Sequence, residues 1–127
     1  MIAEFIDYLQ YAGVTPRVLF AFTTDPVEDY TEELPVIMVY PQGYSAQPSE
    51  IDNMVVQAVD MEIVCLLGCK IEHYETLLAE MQAAVIGWTY EHYDAFELVG
   101  GSIEGINSGY IWWRETYTTR VQFRQST

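Results

Sequence analysis

The chain has 127 residues, half of them apolar, and a formal net charge of -14 from nineteen acidic and five basic residues. This length predicts one domain, residues 1–127, and the apolar content predicts a packed core, which excludes wholesale disorder. Tight binding to nucleic acid or to an anionic membrane is disfavoured, because both need more lysine and arginine than this chain has.

The first ten residues, M-I-A-E-F-I-D-Y-L-Q, place acidic side chains among apolar ones and have no basic region. We therefore expect neither a signal peptide nor a membrane span here, and no run of 18 or more apolar residues occurs elsewhere. The two cysteines fit a reducing compartment. The sequence thus predicts a soluble protein that is made and used in a cytoplasm.

The first third of the chain contains a helix and two short strands. Apolar residues at helical spacing predict a helix over 2–12, and Gly13 favours its end there. Runs of branched and aromatic residues predict strands over 18–22 and 35–41. The residues between these two strands, 23–33, form an acidic connector.

A polar stretch, 42–53, predicts a loop, and loops of this length are usually functional or mobile. Strict alternation then predicts a long strand over 55–68, followed by an amphipathic helix that begins at 71 and runs to Trp88. A further strand is predicted over 96–101.

A glycine-containing turn, 102–109, leads into a last strand over 109–124. The order of elements predicts an α+β fold, in which a mostly antiparallel or mixed sheet is packed on one side by the N-terminal helix and the central helix. One face of the sheet would then stay available.

The last predicted strand holds three of the five basic residues and two of the three tryptophans. Its length predicts either two strands joined by a bend or one strand that runs beyond its own sheet. Alternation assigns to the core Ile111, Trp113, Tyr117, Val121 and Phe123. The opposite face then carries Tyr110, Trp112, Arg114, Thr116, Thr118, Arg120, Gln122 and Arg124.

Aromatic and arginine side chains on that opposite face indicate a subunit interface, because Tyr, Trp and Arg are enriched at the energetic centres of protein interfaces. The candidate residues are Tyr110, Trp112, Arg114, Arg120 and Arg124. The alternative is a solvated strand whose arginines neutralise acids of the same subunit, since exposed ion pairs are common and contribute little.

Three residues, Cys65, Cys69 and His73, have the spacing C-x3-C-x3-H, and His92 or a carboxylate would be needed as a fourth zinc ligand. We favour ordinary buried or neutral thiols, because the familiar C-x-x-C spacing is missing. No G-x-S-x-G, P-loop, G-x-G-x-x-G or H-E-x-x-H occurs. We therefore expect no catalytic residues, no cofactor and no metal, and a protein that is not an enzyme.

The layout as a whole resembles the tail terminator proteins of long-tailed bacteriophages, related to the minor tail protein U of lambda-like phages. The matching features are the short first helix, P-V-I-M-V-Y-P, the polar loop before V-V-Q-A-V-D-M-E-I-V, and the helix I-E-H-Y-E-T-L-L-A-E-M-Q-A-A-V-I-G. The strand F-E-L-V-G-G and the ending G-Y-I-W-W-R-E-T-Y-T-T-R-V-Q-F-R complete the pattern.

This resemblance implies a virion protein that forms a six-fold ring, caps the tail tube, stops its polymerisation and meets the head connector protein. DNA would pass through the acidic opening without specific binding, and salt would favour assembly by screening self-repulsion. The loop 42–53 would become ordered against the tube or a neighbouring copy. The acidic complement to the arginine face would be Asp25, Glu28, Asp29, Glu32 and Glu33.

Three other readings remain open from the sequence. Another head–tail joining protein, such as a connector stopper or a tail completion protein, would also form a ring. A small-ligand binding domain, or an enzyme that uses His73, His92 or the acidic residues, would instead have a deep apolar pocket with converging polar groups. A DNA mimic would replace phosphates with carboxylates, although the clustered arginines argue against it.

Overall fold

In the computed structural model, two helices of the described part of the chain lie on one face of a five-stranded mixed sheet, so the predicted α+β fold is confirmed. The structure describes residues 1–21, 34–49 and 54–126, with only the backbone described at 54, 55 and 124–126. The elements are α1 (Ile2–Ala12), β1 (Arg17–Phe20), β2 (Val36–Ala46), β3 (Met54–Lys70), a 3-10 turn (Ile71–His73), α2 (Tyr74–Val85), β4 (Glu97–Asn107) and β5 (Tyr110–Ser126).

Helix α1 has the predicted bounds. Gly13 follows it with φ 74°, in the left-handed region that glycine enters without strain, and its N–H donates to the Leu9 carbonyl at 3.3 Å. Phe5 and Leu9 form the buried stripe of the helix. No helix within the described ranges is long and apolar enough to cross a membrane.

The strands are ordered β1-β2-β3-β5-β4 across the sheet. β1 runs parallel to β2, and every other neighbouring pair is antiparallel. β3 and β5 pair along their full lengths, from Lys70 opposite Tyr110 to Met54 opposite Ser126. The last predicted strand is therefore one continuous strand, and beyond Thr118 it extends past the ladder that joins it to β4.

Two segments predicted as irregular belong to strands. Residues 42–46 of the predicted loop continue β2, which passes through a register shift between Pro41 and Gly43. Proline is tolerated at such a bulge because its missing N–H removes no regular ladder bond. Residues 50–53 of the same loop lie outside the described residues, as does the whole acidic connector, 23–33.

The second correction concerns residues 102–107, which continue β4 where a turn was predicted. The actual turn is Ser108–Gly109, with φ 47° and 87° at these two residues. Positive φ at both central positions is the requirement of the tight hairpin turn that matches the twist of the flanking strands. α2 also ends at Val85, before Trp88.

The core lies between the sheet and both helices, and we call this side of the sheet the helix face. Phe5 packs within 5.2 Å of Trp88 and 4.9 Å of Phe96, measured between ring centroids. The fully packed set is Phe5, Leu9, Val18, Ile37, Val39, Ile63, Cys65, Leu67, Cys69, Met81, Val85, Phe96, Ile111 and Tyr117.

The predicted core face of β5 is confirmed at Ile111, Tyr117 and Val121, and Trp113 packs against the core while partly buried. Phe123 was also assigned to the core, and this is wrong, because its side chain is 56% exposed. It lies where β5 has run beyond its pairing with β4, so alternation places it on the correct face but nothing described covers it.

Candidate subunit interface

The sheet face opposite the helices, here called the outer face, carries Tyr110, Trp112, Arg114 and Arg120 of β5. These side chains lie on the face that sequence alternation predicts, since Trp112 and Arg114 pair with Gly68 and Leu66 of β3 on that side. The availability of these residues to a second molecule differs sharply from one to the next.

Trp112 is only 5% exposed and packs with Val36, Met38 and Leu66 in a second, smaller apolar cluster. The strand opposite provides the space for its ring, because a Cβ added at Gly68 would lie 2.6 Å from the indole. Trp112 is therefore a packing residue of its own chain. The candidate interface loses it, because a side chain that is already covered cannot dock a neighbour.

Arg120 pairs with Asp60, which is directly opposite on β3. Its Nε donates to Oδ1 at 2.8 Å and its second nitrogen donates to Oδ2 at 3.1 Å, so the pair is bidentate. The hydrogen bond from Arg120 lowers the pKa of Asp60. At this position the structure supports the alternative reading, in which the arginine neutralises an acid of the same chain.

The remaining predicted interface residues divide into two groups. Arg114 donates to the side-chain oxygen of Gln42, and Tyr110 is exposed near the β4–β5 turn. The side chain of Arg124 lies outside the described residues, as do all the predicted acidic partners, Asp25, Glu28, Asp29, Glu32 and Glu33.

An open groove of about 550 Å³ lies on the outer face beside Arg120. Its lining includes the carboxylates of Asp60, Glu62, Asp94 and Glu97. These acids surround Arg120 from β3, β4 and the segment before β4, so described acids of the same chain already supply the negative charge that was predicted to come from 25–33.

The cysteine and histidine residues are not brought together as a metal centre. Cys65 and Cys69 are free thiols buried in the core, and burial raises the pKa of Cys69 to about 11. His73 lies in the 3-10 turn after β3. Within the described residues no group of three histidine, cysteine or acidic side chains is placed to hold a metal ion.

A buried carboxylate on β5 was missed at the sequence level. Glu115 is 2% exposed, and Gln82 of α2 donates to its Oε1 at 2.6 Å. Burial raises the pKa of Glu115. Gly101 of β4 leaves room for the Glu115 carboxylate, since a Cβ at position 101 would lie 2.6 Å from Oε2. This polar contact joins β4, β5 and α2, and its only signal in the sequence is an acid among apolar alternating residues.

The edge strand β4 forms a second surface that sequence reasoning missed. It pairs with β5 on one side, and no described strand pairs with its other side. Four large apolar side chains of β4 are nevertheless exposed: Leu98, Val99, Ile103 and Ile106. Natural sheets usually protect such edges with charges, prolines or covering segments, so a long apolar edge marks a surface for strand pairing.

The opposite edge of the sheet is formed by β1 and by the end of β2. β1 covers Val36–Val39 of β2, and no described strand pairs with 41–46 on that side. Tyr44 is 76% exposed there. The sixteen residues from 34 to 49 contain no charged side chain, although the chain as a whole is 19% charged. That charge-free stretch is the signal that could have identified this edge from sequence.

A scan against protein-family models matches no family, and a search of curated proteins finds no match.

Proposed function

We propose that this protein is a structural component that assembles with copies of itself into a ring, as the phage tail terminator proteins that it resembles do. In this role the ring caps a tail tube, stops tube polymerisation and offers a surface for joining the head. The observation that carries the proposal is the pair of exposed edges on opposite sides of one sheet, of which the 41–46 edge has no charged side chain.

Two different edges on one molecule allow a head-to-tail contact, in which one patch meets a different patch on the next copy. Such heterologous contacts close into rings when the rotation between neighbours is suitable. A contact through one edge alone would instead give a symmetric dimer with no surface for further growth. The two-edge arrangement thus supports a closed or extended assembly.

The charge distribution favours these edges over the rest of the surface. Copies with a net charge of -14 repel one another, so their contacts must avoid the acidic regions. β4 carries two acids, Glu97 and Glu104, whereas between residues 34 and 49 there is no charged residue, so pairing these two edges places no like charges opposite each other. The acids of α1 and α2 lie outside both edges, as do Asp60, Glu62 and Asp94 of the outer-face groove, and all of them would face solvent or a passing DNA that must not adhere.

Electron microscopy of the purified protein, alone and mixed with tail tubes, tests the proposal. We expect rings with a central opening that bind at one end of the tube and prevent its further growth. Sedimentation at increasing salt should show more assembly, because salt screens the repulsion between acidic copies.

Rings that bind phage heads and leave tail tubes unbound would replace the terminator assignment with a stopper or completion protein. A protein that stays monomeric at every salt and protein concentration, with or without tubes, would refute the proposal.

A further inference from the structure

The pairing between neighbouring copies can be specified further. We infer that β4 of one copy pairs antiparallel with residues 41–46 of β2 in the next copy, so that neighbouring sheets become continuous. This inference rests on the proposed self-assembly, and it names the two surfaces that meet and their relative direction.

The directions of the strands already permit this pairing. β2, β3, β5 and β4 are consecutive neighbours and alternate in direction, so β4 is antiparallel to β2 within one copy. A second copy placed beside β4 in the same orientation therefore presents its β2 in the antiparallel sense. The second copy needs neither a rotation within the plane of the sheet nor a flip of its two faces, so the helices of both copies stay on the same side.

The apolar side chains of the two edges also lie on the same face. Leu98, Ile103 and Ile106 are opposite Tyr117, Trp113 and Ile111, which places them on the helix face. Tyr44 is opposite Met61, and Met61 is opposite Thr119, so Tyr44 lies on the helix face as well. Pairing the edges would bring exposed aliphatic groups against an exposed aromatic ring, which is a favourable cross-strand combination.

Charge distinguishes this pairing from a symmetric one. If β4 paired with β4 of a second copy, Glu97 and Glu104 of both copies would share one ladder, and like charges across a sheet are destabilising. The 41–46 segment, Pro-Gln-Gly-Tyr-Ser-Ala, adds no charge. It is therefore the better partner for an edge that already carries two acids.

The register implies a stagger between copies. If Ile103 is placed opposite Tyr44 of the next copy, Ile103 is level with Trp113 of β5, whereas Tyr44 is level with Thr119 through Met61. Six residues along a strand correspond to about 20 Å, and the five strands are about 24 Å wide. A ring that closes with this offset tilts its strands by roughly 40° from its axis, which is the inclination of closed sheets.

A charge placed on the β4 edge tests the contact. Ile103→Lys should raise the protein concentration needed for half-assembly by about tenfold or more, because the ammonium would be buried without a partner. Tyr11→Lys is the matched control, since Tyr11 is 91% exposed on α1 and belongs neither to β4 nor to residues 41–46. Circular dichroism would establish that both variants keep the fold.

Disulfide formation between two variants that each carry one added cysteine tests the pairing without adding a charge. Ile103→Cys and Tyr44→Cys are purified separately, mixed and oxidised, and the native thiols stay unreactive because both are buried. We expect a cross-linked dimer in the mixture and none in either variant alone.

Cross-linking of Ile103→Cys with itself would overturn the inference in favour of the symmetric pairing. Rings that form normally from Ile103→Lys would overturn it while leaving the proposed function intact. If rings and tube capping are missing but the mixed cross-link forms, the contact stands and the proposed function fails.

Discussion

The strands β3 and β4 contain similar residues but occupy opposite environments. β3 lies between two neighbours, and its residues Ile63–Leu67 are buried on both faces of the sheet. β4 has one described neighbour, and none of its residues is buried. In β3 the valines, isoleucines and leucines stabilise the single chain by burial, whereas in β4 the same types of side chain stay exposed.

The largest expected difference between these strands is in the cost of shortening an aliphatic side chain. Leu67→Ala in β3 should lower the free energy of unfolding by about 2–5 kcal/mol, because it leaves a cavity in the core. Ile103→Ala in β4 should lower it by about 1 kcal/mol or less under monomeric conditions, since the side chain is already exposed. Urea unfolding of dilute protein measures both, and equal losses would break the comparison.

The next effect tests what holds β4 to the rest of the sheet. Gly101→Ala should lower the free energy of unfolding by about 1–3 kcal/mol, because the new methyl group would clash with Glu115 Oε2 and Trp113 Nε1. Gly100→Ala is the matched control, as a Cβ there meets only open space. Equal stability of the two variants in urea would mean that the Glu115 site does not constrain β4.

The smallest effect concerns the pH dependence of the buried carboxylate. Burial raises the pKa of Glu115 in the folded state, so the folded chain binds more protons than the unfolded chain, and this contribution to stability is lost as pH rises through the folded pKa. Glu115→Gln cannot titrate. Its stability relative to the wild type should therefore increase as pH rises above about 4, the pKa of an unfolded glutamate, and through the raised folded pKa.

Asp60→Asn should give a change of the opposite sign when the free energy of unfolding is measured in urea at a series of pH values. The pKa of Asp60 is lowered by Arg120, so its contribution is present above the unfolded pKa and is lost as pH falls through the folded pKa. The variant should lose stability relative to the wild type as pH rises through the acid range. Parallel pH profiles of the two variants would show that Glu115 is not the titrating group assigned here.

The elements that the sequence predicts well are those with one buried face along their whole length. α1 has its predicted bounds, and the alternation in β3 and β5 places their core residues correctly over most of each strand. In such segments burial repeats with the period of the backbone, so the apolar residues of the sequence repeat with the same period and identify the buried face.

The predictions fail at the two edges for a physical reason. Residues 42–46 and 102–107 are rich in glycine and polar side chains, which favours loops, yet both segments continue strands. The parts of these edge strands that extend beyond the helices bury few side chains on either face of the sheet. Their sequences therefore show no alternation of apolar and polar residues. The ladder with the neighbouring strand, which the local sequence does not reveal, holds these segments extended.

The candidate site depends on pairings between distant residues. Nothing near Trp112 in the sequence reveals that Gly68 lies beneath its ring, or that Gly101 leaves room for Glu115. Both relations follow from the register of β5 with β3 and with β4. A period-2 argument identifies the face of a side chain, but the opposite strand decides whether that face is open.

The position of β5 has a consequence for synthesis on the ribosome. β1, β2, β3 and β4 all precede β5 in the sequence, yet β5 lies between β3 and β4 in the sheet. Its turn with β4 is local, whereas its pairing with β3 closes a loop over residues 71–109. We therefore expect the β4–β5 hairpin to form first and to dock on β3 afterwards, because short loops close at a lower entropic cost. Until β5 has been translated, β4 cannot become an ordered edge, so partly made chains cannot present it to finished ones.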